Sequence, residues 1–575
     1  MKSFMGKIWV KYKKIVNDKP YIGSVITISY TMIFAIIVVV ASKVAVGTEV
    51  ELMLNEKEVE YYAGNYDLAI EEYSKKESDK EWPIWTVKKA EIHSLKGEKT
   101  ASNSLLEKAY RQRCDLIKKD GQAKYEEDDM KIGNYITFTY LMNGEYGKAQ
   151  EYGEDFLKTN ENNKKLRKTM VAVYLANGDK GKAKDMVDNI NVDDNSYELA
   201  EVANLNIIVD NNEKAFELLK SSFEKDNNEI RILDVIEEVV SSKNEDSKKY
   251  IENLYNNSKE DDFNKIIISK MYSLDKMKVE EARSIINSIS DANSNSLLAH
   301  SIKIDISKAL NGSYEDSIEY IKEEYKNNYG ANYIIAEDYL KDENYKKTIE
   351  YGMECSKLNG DYGKIYAELF SNMLIKQDNI DAIPSYLRRG MYYEPYNYEM
   401  VENAAVFYDQ VKQNIETAYN YYKLASSLED KRAENYYNMA IINMKKDDLK
   451  GAIKNLELLV QADDSNDGYF NMLGACYLKN EDGDKAIEAI KSAYKINENN
   501  AKALNNAAIY YAVYSEELGR AYENMKSSEQ LKDNVEDILI KNSIKNNYDT
   551  IKRANKELED GNYKKLDISQ VEILY

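Results

Sequence analysis

Residues that do chemistry are scarce in this chain. It has two histidines (His93 and His300), three cysteines (Cys114, Cys355 and Cys476) and four prolines (Pro20, Pro83, Pro384 and Pro395) in 575 residues. Neither histidine has a second histidine or a cysteine at ligand spacing, which argues against a zinc site or a catalytic dyad. The cysteines lie too far apart for a disulfide framework and read as small hydrophobes inside helices. A phosphate-binding Gly-x-x-x-x-Gly-Lys loop, a Gly-x-Ser-x-Gly nucleophile elbow and a calcium loop are all missing. Acidic pairs such as Asp128-Asp129 and Asp447-Asp448 read as helix starts and turns rather than as paired catalytic carboxylates. The expectation is a protein that is no enzyme and uses no metal or cofactor. With so few prolines, and no linker rich in proline, glycine or serine, long helical runs are allowed throughout.

Positive charge is also in short supply. Lysine and arginine number 79 against 100 aspartates and glutamates, for a formal charge of -21. The first twenty residues oppose the trend, with Lys2, Lys7, Lys11, Lys13, Lys14 and Lys19 against Asp18. So acidic a body repels phosphates, and nucleic acid is not an expected partner. A solvated acidic surface that keeps the protein in solution is the plainer reading.

Residues 21–42 carry no charge at all. As a helix they extend about 33 Å, against a bilayer hydrocarbon core of about 30 Å. The expectation is a transmembrane helix over residues 21–46 after a basic cytoplasmic tail over 1–20. The flank that follows is acidic, with Glu49, Glu51, Glu56, Glu58 and Glu60. This lysine asymmetry places the N-terminus in the cytoplasm and everything after residue 47 outside, as a single-pass protein of the cell membrane. A cleaved signal peptide is the competing reading. Its apolar region is normally shorter, and Lys43 spoils the small-x-small site.

What the chain has in abundance is one repeating pattern. In residues 469–494, Phe470, Leu473, Gly474 and Tyr477 recur at helical spacing. Residues 480–484, with Gly483 among them, supply turn chemistry, and Ala486, Ile487, Ile490, Ala493 and Tyr494 resume the helical spacing. Two short amphipathic helices of this kind bury their apolar faces only against copies of themselves. Gly474 and Ala486 belong where the paired helices cross, and Ala493 where the next unit packs, because larger side chains force the axes apart. Ala149 and Ala183 stand 34 residues apart, as do Ala418 and Ala452, and Ala452 and Ala486; Ala521 follows Ala486 by 35. Ala69 opens the series, and Ala101, Ala215, Ser247, Ala282, Ser317, Thr348 and Ala382 fill its gaps. One interval, Ala101 to Ala149, is 48 residues, which reads as lengthened helices or an inserted segment around residues 111–129.

The spacing of Phe470, Leu473, Gly474, Tyr477, Ala486 and Ala493 resembles the tetratricopeptide repeat. Glu498 stands where that family often has a helix-ending proline, and Asn497, Asn499 and Asn500 are available to break the helix instead. The resemblance implies an all-α, right-handed superhelical solenoid of eleven to fourteen such helix pairs over residues 58–530. Residues 531–575 are expected to form capping helices. Most of the 49 tyrosines, among them Tyr66, Tyr146, Tyr422 and Tyr477, read as ring packing between helices. The pair Trp82 and Trp85 around Pro83 reads the same way.

The family binds proteins or peptides along the concave face lined by first helices. On its pattern the groove positions of the last repeats are Glu434, Tyr437, Ile441 and Met444, then Asn471, Leu478 and Lys479, then Lys502, Asn505 and Ile509. Asn471 with Lys502 and Asn505 loosely resembles the set that some members use to clamp a peptide's terminal carboxylate, asparagine gripping main chain and lysine the carboxylate. Tyr437, Ile441, Met444, Asn471, Leu478, Lys479, Lys502 and Asn505 are therefore the candidate protein-binding residues. The function this implies is a membrane-anchored scaffold for a protein or peptide partner, outside the cytoplasm. The alternative is a peptide-sensing regulator or envelope assembly factor that transmits binding through its anchor. Oligomeric state is left open.

Overall fold

The structure, a computed structural model, describes residues 52, 58–78, 81–429, 432–562 and 565–575. The chain divides into two units, residues 1–53 and 54–575. The expected cytoplasmic tail and transmembrane helix, residues 1–46, lie outside the described residues. Among the described residues no helix is long and apolar enough to cross a membrane.

The second unit is an all-α solenoid of tetratricopeptide-like helix pairs, and no strand occurs among the described residues. A typical pair is Asp467–Lys479 with Gly483–Ile496, and the next is Ala501–Val513 with Leu518–Leu531. Upstream, Ala433–Lys445 pairs with Leu449–Ala462, and the pattern runs back to Val59–Tyr62 with Tyr66–Ser78. A single long helix, Ile538–Glu559, follows the last pair. The 48-residue interval is accounted for by length: Lys99–Asp120 has 22 residues and Glu126–Met142 has 17.

Each pair forms for the same local reasons. The small residue four places into the second helix packs against the first, and Ala69, Ala149, Ala183, Ala215, Ala282, Ala418, Ala452, Ala486 and Ala521 are all completely buried. At the crossing a Cβ on Gly474 lies 2.6 Å from Ile490 Cγ1, so nothing larger than hydrogen fits without displacement. In four pairs the phase differs from the sequence expectation: Ser247 and Ser317 stand third rather than fourth in Glu245–Asn257 and Glu315–Glu324, and buried Ile318 takes the fourth place in the latter. Completely buried Ser102 replaces half-buried Ala101, and buried Ser385, inside Ile383–Tyr393, stands deeper in its helix than Ala382, the residue before it.

The turns are also regular, but through other residues than glycine alone. Gly483 is helical, and the left-handed residue is Glu481, at φ 60°. Its equivalents include Gly144, Gly178, Asp210, Lys243, Glu343 and Asp447, all at positive φ. The Asp482 amide then reaches back to the Tyr477 carbonyl at 2.9 Å, the six-to-one bond of a Schellman ending. Asp482 in turn caps the second helix through Lys485 N, as Asp448 and Asn414 do in theirs. The abundance of Asn and Asp thus has a structural cause. After Gly483–Ile496 the chain breaks at extended Asn497, and Asn500 caps the next helix.

The solenoid is not open along its length. First helices and turns of residues 58–241 surround residues 361–432 of the same chain. Ser385 donates to the Tyr61 carbonyl at 2.6 Å, Arg389 to the Tyr62 hydroxyl at 3.1 Å, and Tyr408 to the Leu95 carbonyl at 3.1 Å. The Lys165 ammonium stands 3.8 Å and 4.0 Å from the ring centres of Tyr392 and Tyr393. Tyr396 donates to Glu201 at 2.6 Å and Tyr362 to Asp234 at 2.9 Å. At the centre Arg231 meets Glu394 at 2.9 Å and Glu238 at 2.8 Å, with Arg231 and Glu394 completely buried. Two π-helical stretches, Ile365–Phe370 and Phe407–Val411, fall within the enclosed segment. Backbones approach closely at Gly64, φ +80°, where an added Cβ would collide with the Asp381 carbonyl oxygen. Through the first half of the array, then, the first-helix face is already used by the chain itself.

Candidate peptide-binding groove

In the last repeats the first-helix face meets a different and much shorter part of the chain. There three helices succeed one another: Asp467–Lys479, Ala501–Val513 and Ile538–Glu559. Asn471 and Asn505 each hold the fifth position of their helix, Asn506 follows, and Asn547 lies on the third. Polar carboxamides compete with helix hydrogen bonds and are poor choices for helix interiors unless something else employs them.

What employs them is an extended segment of the same chain, residues 571–575. The Leu574 amide donates to Asn506 Oδ1 at 3.0 Å, and its carbonyl accepts from Asn506 Nδ2 at 2.6 Å and Asn471 Nδ2 at 3.0 Å. Two residues earlier, the Glu572 amide donates to Asn547 Oδ1 at 2.8 Å. Its carbonyl accepts from Asn547 Nδ2 at 2.7 Å and Asn505 Nδ2 at 3.2 Å. A carboxamide holds a donor and an acceptor side by side, so one asparagine satisfies both main-chain groups of one residue, as a neighbouring strand does. The two-residue step follows from extended geometry, in which alternate residues present their N–H and C=O to the same side. The carboxamides also bond one another, Asn506 to Asn471 and Asn547 to Asn505, both at 2.9 Å.

Side chains are read as well. Leu574 is buried with Ala501 and Ile544, flanked by Leu531, Val535 and Ile540. The Glu572 carboxylate accepts from the Ser543 hydroxyl at 2.6 Å. Lys502 donates to the main-chain oxygen of Tyr575 at 2.7 Å, and the Lys479 ammonium stands 4.7 Å from the Tyr575 ring centre. Burial pushes the Tyr575 hydroxyl up from its ordinary value, so it stays neutral. Behind the groove burial pushes the Cys476 thiol up to about 12, which leaves it an inert packing group at neutral pH.

The structure therefore gathers Asn471, Lys479, Lys502 and Asn505 around one extended segment. Tyr437, Ile441 and Met444 lie one helix earlier and are half-buried, with the Tyr437 ring 5.8 Å from Tyr469. Leu478 is completely buried, and its carbonyl accepts from the Tyr514 hydroxyl at 2.7 Å. Sequence reasoning missed Asn506, Ser543 and Asn547. Asn506 is betrayed only by its adjacency to Asn505, and Asn547 by its place inside a long helix that has no need of it. Both histidines lie elsewhere: His93 pairs with Glu98 at 2.5 Å, and burial holds His300 down to about 4.

No protein-family model matches the chain, and comparison with curated proteins finds no match. Among solved structures the chain is similar to MamA (20% identity over 30% of this chain and 93% of that one, TM-score 0.27). It is similar also to YrrB, described as a TPR protein with an unusual peptide-binding site (17%, 31% and 91%, TM-score 0.28). Yeast Tom70 is a third (13%, 88% and 96%, TM-score 0.28). These are distant likenesses, and the helix-pair assignment stands on the geometry described above.

Proposed function

We propose that this chain is an interaction scaffold that binds an extended peptide segment of a partner protein across the first helices of its last repeats. The observation that carries this reading is the asparagine ladder, which satisfies the main chain of two alternate residues of an extended segment. Main-chain bonds supply affinity without regard to sequence, and the pockets between them supply selectivity. The mechanism is surface burial in a preformed groove, with no bond made or broken. We place the groove outside a membrane, tethered by residues 21–46. The support is the uncharged run over 21–42 and the lysines that precede it.

A photoreactive residue at Lys479 tests the groove, with one at exposed Glu488, on a second helix, as control. Crosslinking to a partner from Lys479, lost when Asn506→Ala is added, supports the reading. Equal capture from Glu488 sinks it. For topology, protease is added to intact cells; an array that survives there and is lost only after lysis refutes the external placement.

A further inference from the structure

The segment in the groove is built like a ligand rather than like core. Of residues 567–575 only Leu574 is fully buried. The 3-10 turn Ile568–Gln570, closed by a capping box between Asp567 and Gln570, leads into it. An element with one fully buried apolar anchor and flanks that are half-buried or exposed belongs to the low end of local stability. The four asparagines are at most 2% exposed with the segment in place; when it leaves, each loses a bond made by its amide nitrogen, and Asn506 and Asn547 lose one accepted by their oxygen as well.

We propose that residues 567–575 are an exchangeable internal ligand, and that the partner of this groove is an extended peptide of the same pattern. The pattern is an acidic residue, one free position, leucine, then an aromatic residue. The proposal rests on the peptide-binding reading above and names what that site selects. Ser543 reads the acid at the Glu572 position, at 2.6 Å. The pocket of Ala501 and Ile544 reads leucine. Lys479 reads the aromatic face, and an ammonium over a ring favours the electron-rich rings of tyrosine and tryptophan. The main chain of the intervening residue is turned away by the two-residue alternation. The segment follows closely on the helix Ile538–Glu559, and a short tether of this kind imposes an effective concentration on the order of millimolar. A free peptide of equal intrinsic affinity is then largely excluded, and its apparent affinity falls with the fraction of open grooves.

The test uses the full chain and a fluorescent peptide of the sequence of residues 567–575, followed by anisotropy. Two variants evict the internal segment by different routes. Leu574→Asp removes the anchor, and Glu572→Pro removes the amide that bonds Asn547 without touching the apolar pocket. Both are expected to bind the peptide about tenfold or more tighter than the unaltered chain. Peptides carrying alanine at the leucine or lysine at the acid are expected to lose about tenfold or more. Equal affinity in the unaltered chain and both variants overturns internal competition. Concentration-dependent dimers of the unaltered chain that both variants abolish overturn it too, since the segment then serves a second copy. Failure of this peptide to bind either variant, alongside partner crosslinking from Lys479, overturns the pattern and leaves peptide binding standing; failure of both removes both.

Discussion

Glu229→Gln is expected to stabilise the centre of this molecule, and to do so far more at pH 8 than at pH 5. Glu229 is buried in the turn before Arg231–Ser241. It accepts from the Ser196 hydroxyl and the Arg231 amide, each at 3.1 Å, and from the Tyr329 hydroxyl. The Arg231 guanidinium turns away to Glu238 and Glu394 instead. Burial is the main cause that pushes the Glu229 carboxyl up from 4.5 to about 7, against the three hydrogen bonds. Because the folded value lies above the unfolded one, the contribution of this group to stability is fully present below pH 4.5. It is lost as pH rises through about 7. A rise from 4.5 to about 7, at about 1.36 kcal/mol per pH unit, sets an upper bound of roughly 3 kcal/mol.

Glutamine keeps the shape, accepts from Tyr329 and Arg231 through its oxygen, and donates to Ser196 through its amide, at no cost in charge. The variant is therefore expected to lie within about 1 kcal/mol of the parent at pH 5 and up to roughly 3 kcal/mol above it at pH 8. Hydrogen exchange over residues 196–241 and 325–341 measures this directly, since it reads local opening and needs no two-state melt of a long repeat array. Parent and variant are compared at each pH, which cancels the pH dependence of intrinsic exchange. A difference that is the same at both pH values refutes the reasoning, because Glu229 would then ionise as an ordinary surface carboxylate.

Two further predictions concern closure of the solenoid on its own residues. Glu394→Ala leaves a completely buried Arg231 with Glu238 as its close partner, and removing one member of such a pair is expected to cost about 3–5 kcal/mol. Replacing both Arg231 and Glu394 by methionine recovers most of that loss, and a double variant no better than the single rejects the pair as the cause. Gly64→Ala places a Cβ on the Asp381 carbonyl and forces an alanine into left-handed backbone, so it is expected to raise exchange across residues 381–428 while leaving residues 467–531 unchanged. Unchanged exchange in both regions shows that the contact does not hold the two parts together.

The helix pairs were legible because their constraint is both strict and periodic. An alanine that is completely buried at a helix crossing admits nothing larger, and Ala418, Ala452 and Ala486 show that constraint at intervals of 34 residues. The turns were harder. Glycine is the usual residue of left-handed backbone, but here Glu481, Asp447 and Glu343 hold that conformation, and reading the turn from Gly483 selected a helical residue instead. Closure was not legible at all. Arg231 and Glu394 are 163 positions apart in the numbering, lie in different repeats and share no period. Tyr392, Tyr396 and Tyr408 look like any other packing tyrosine until their partners are known.

The groove lies between these cases, and the reason is physical. Family spacing marks which positions face a groove, so Asn471, Lys502 and Asn505 were within reach, yet the same spacing marks Tyr437, Ile441 and Met444, which lie one helix away from the bound segment. Spacing says nothing about occupancy. Chemistry does: a carboxamide inside a helix costs helix stability unless it has a main chain to hold, and Asn505, Asn506 and Asn547 sit inside helices, buried, each with both ends of the amide engaged. An asparagine that caps a turn is explained by the turn, as Asn500 is. A mid-helix asparagine whose carboxamide takes both the N–H and the C=O of one residue, as Asn506 and Asn547 do, is explained by an extended chain beside it, and that distinction separates the ladder from the asparagines that end helices and from Asn204 and Asn206, which hold Glu238 and the Val202 carbonyl.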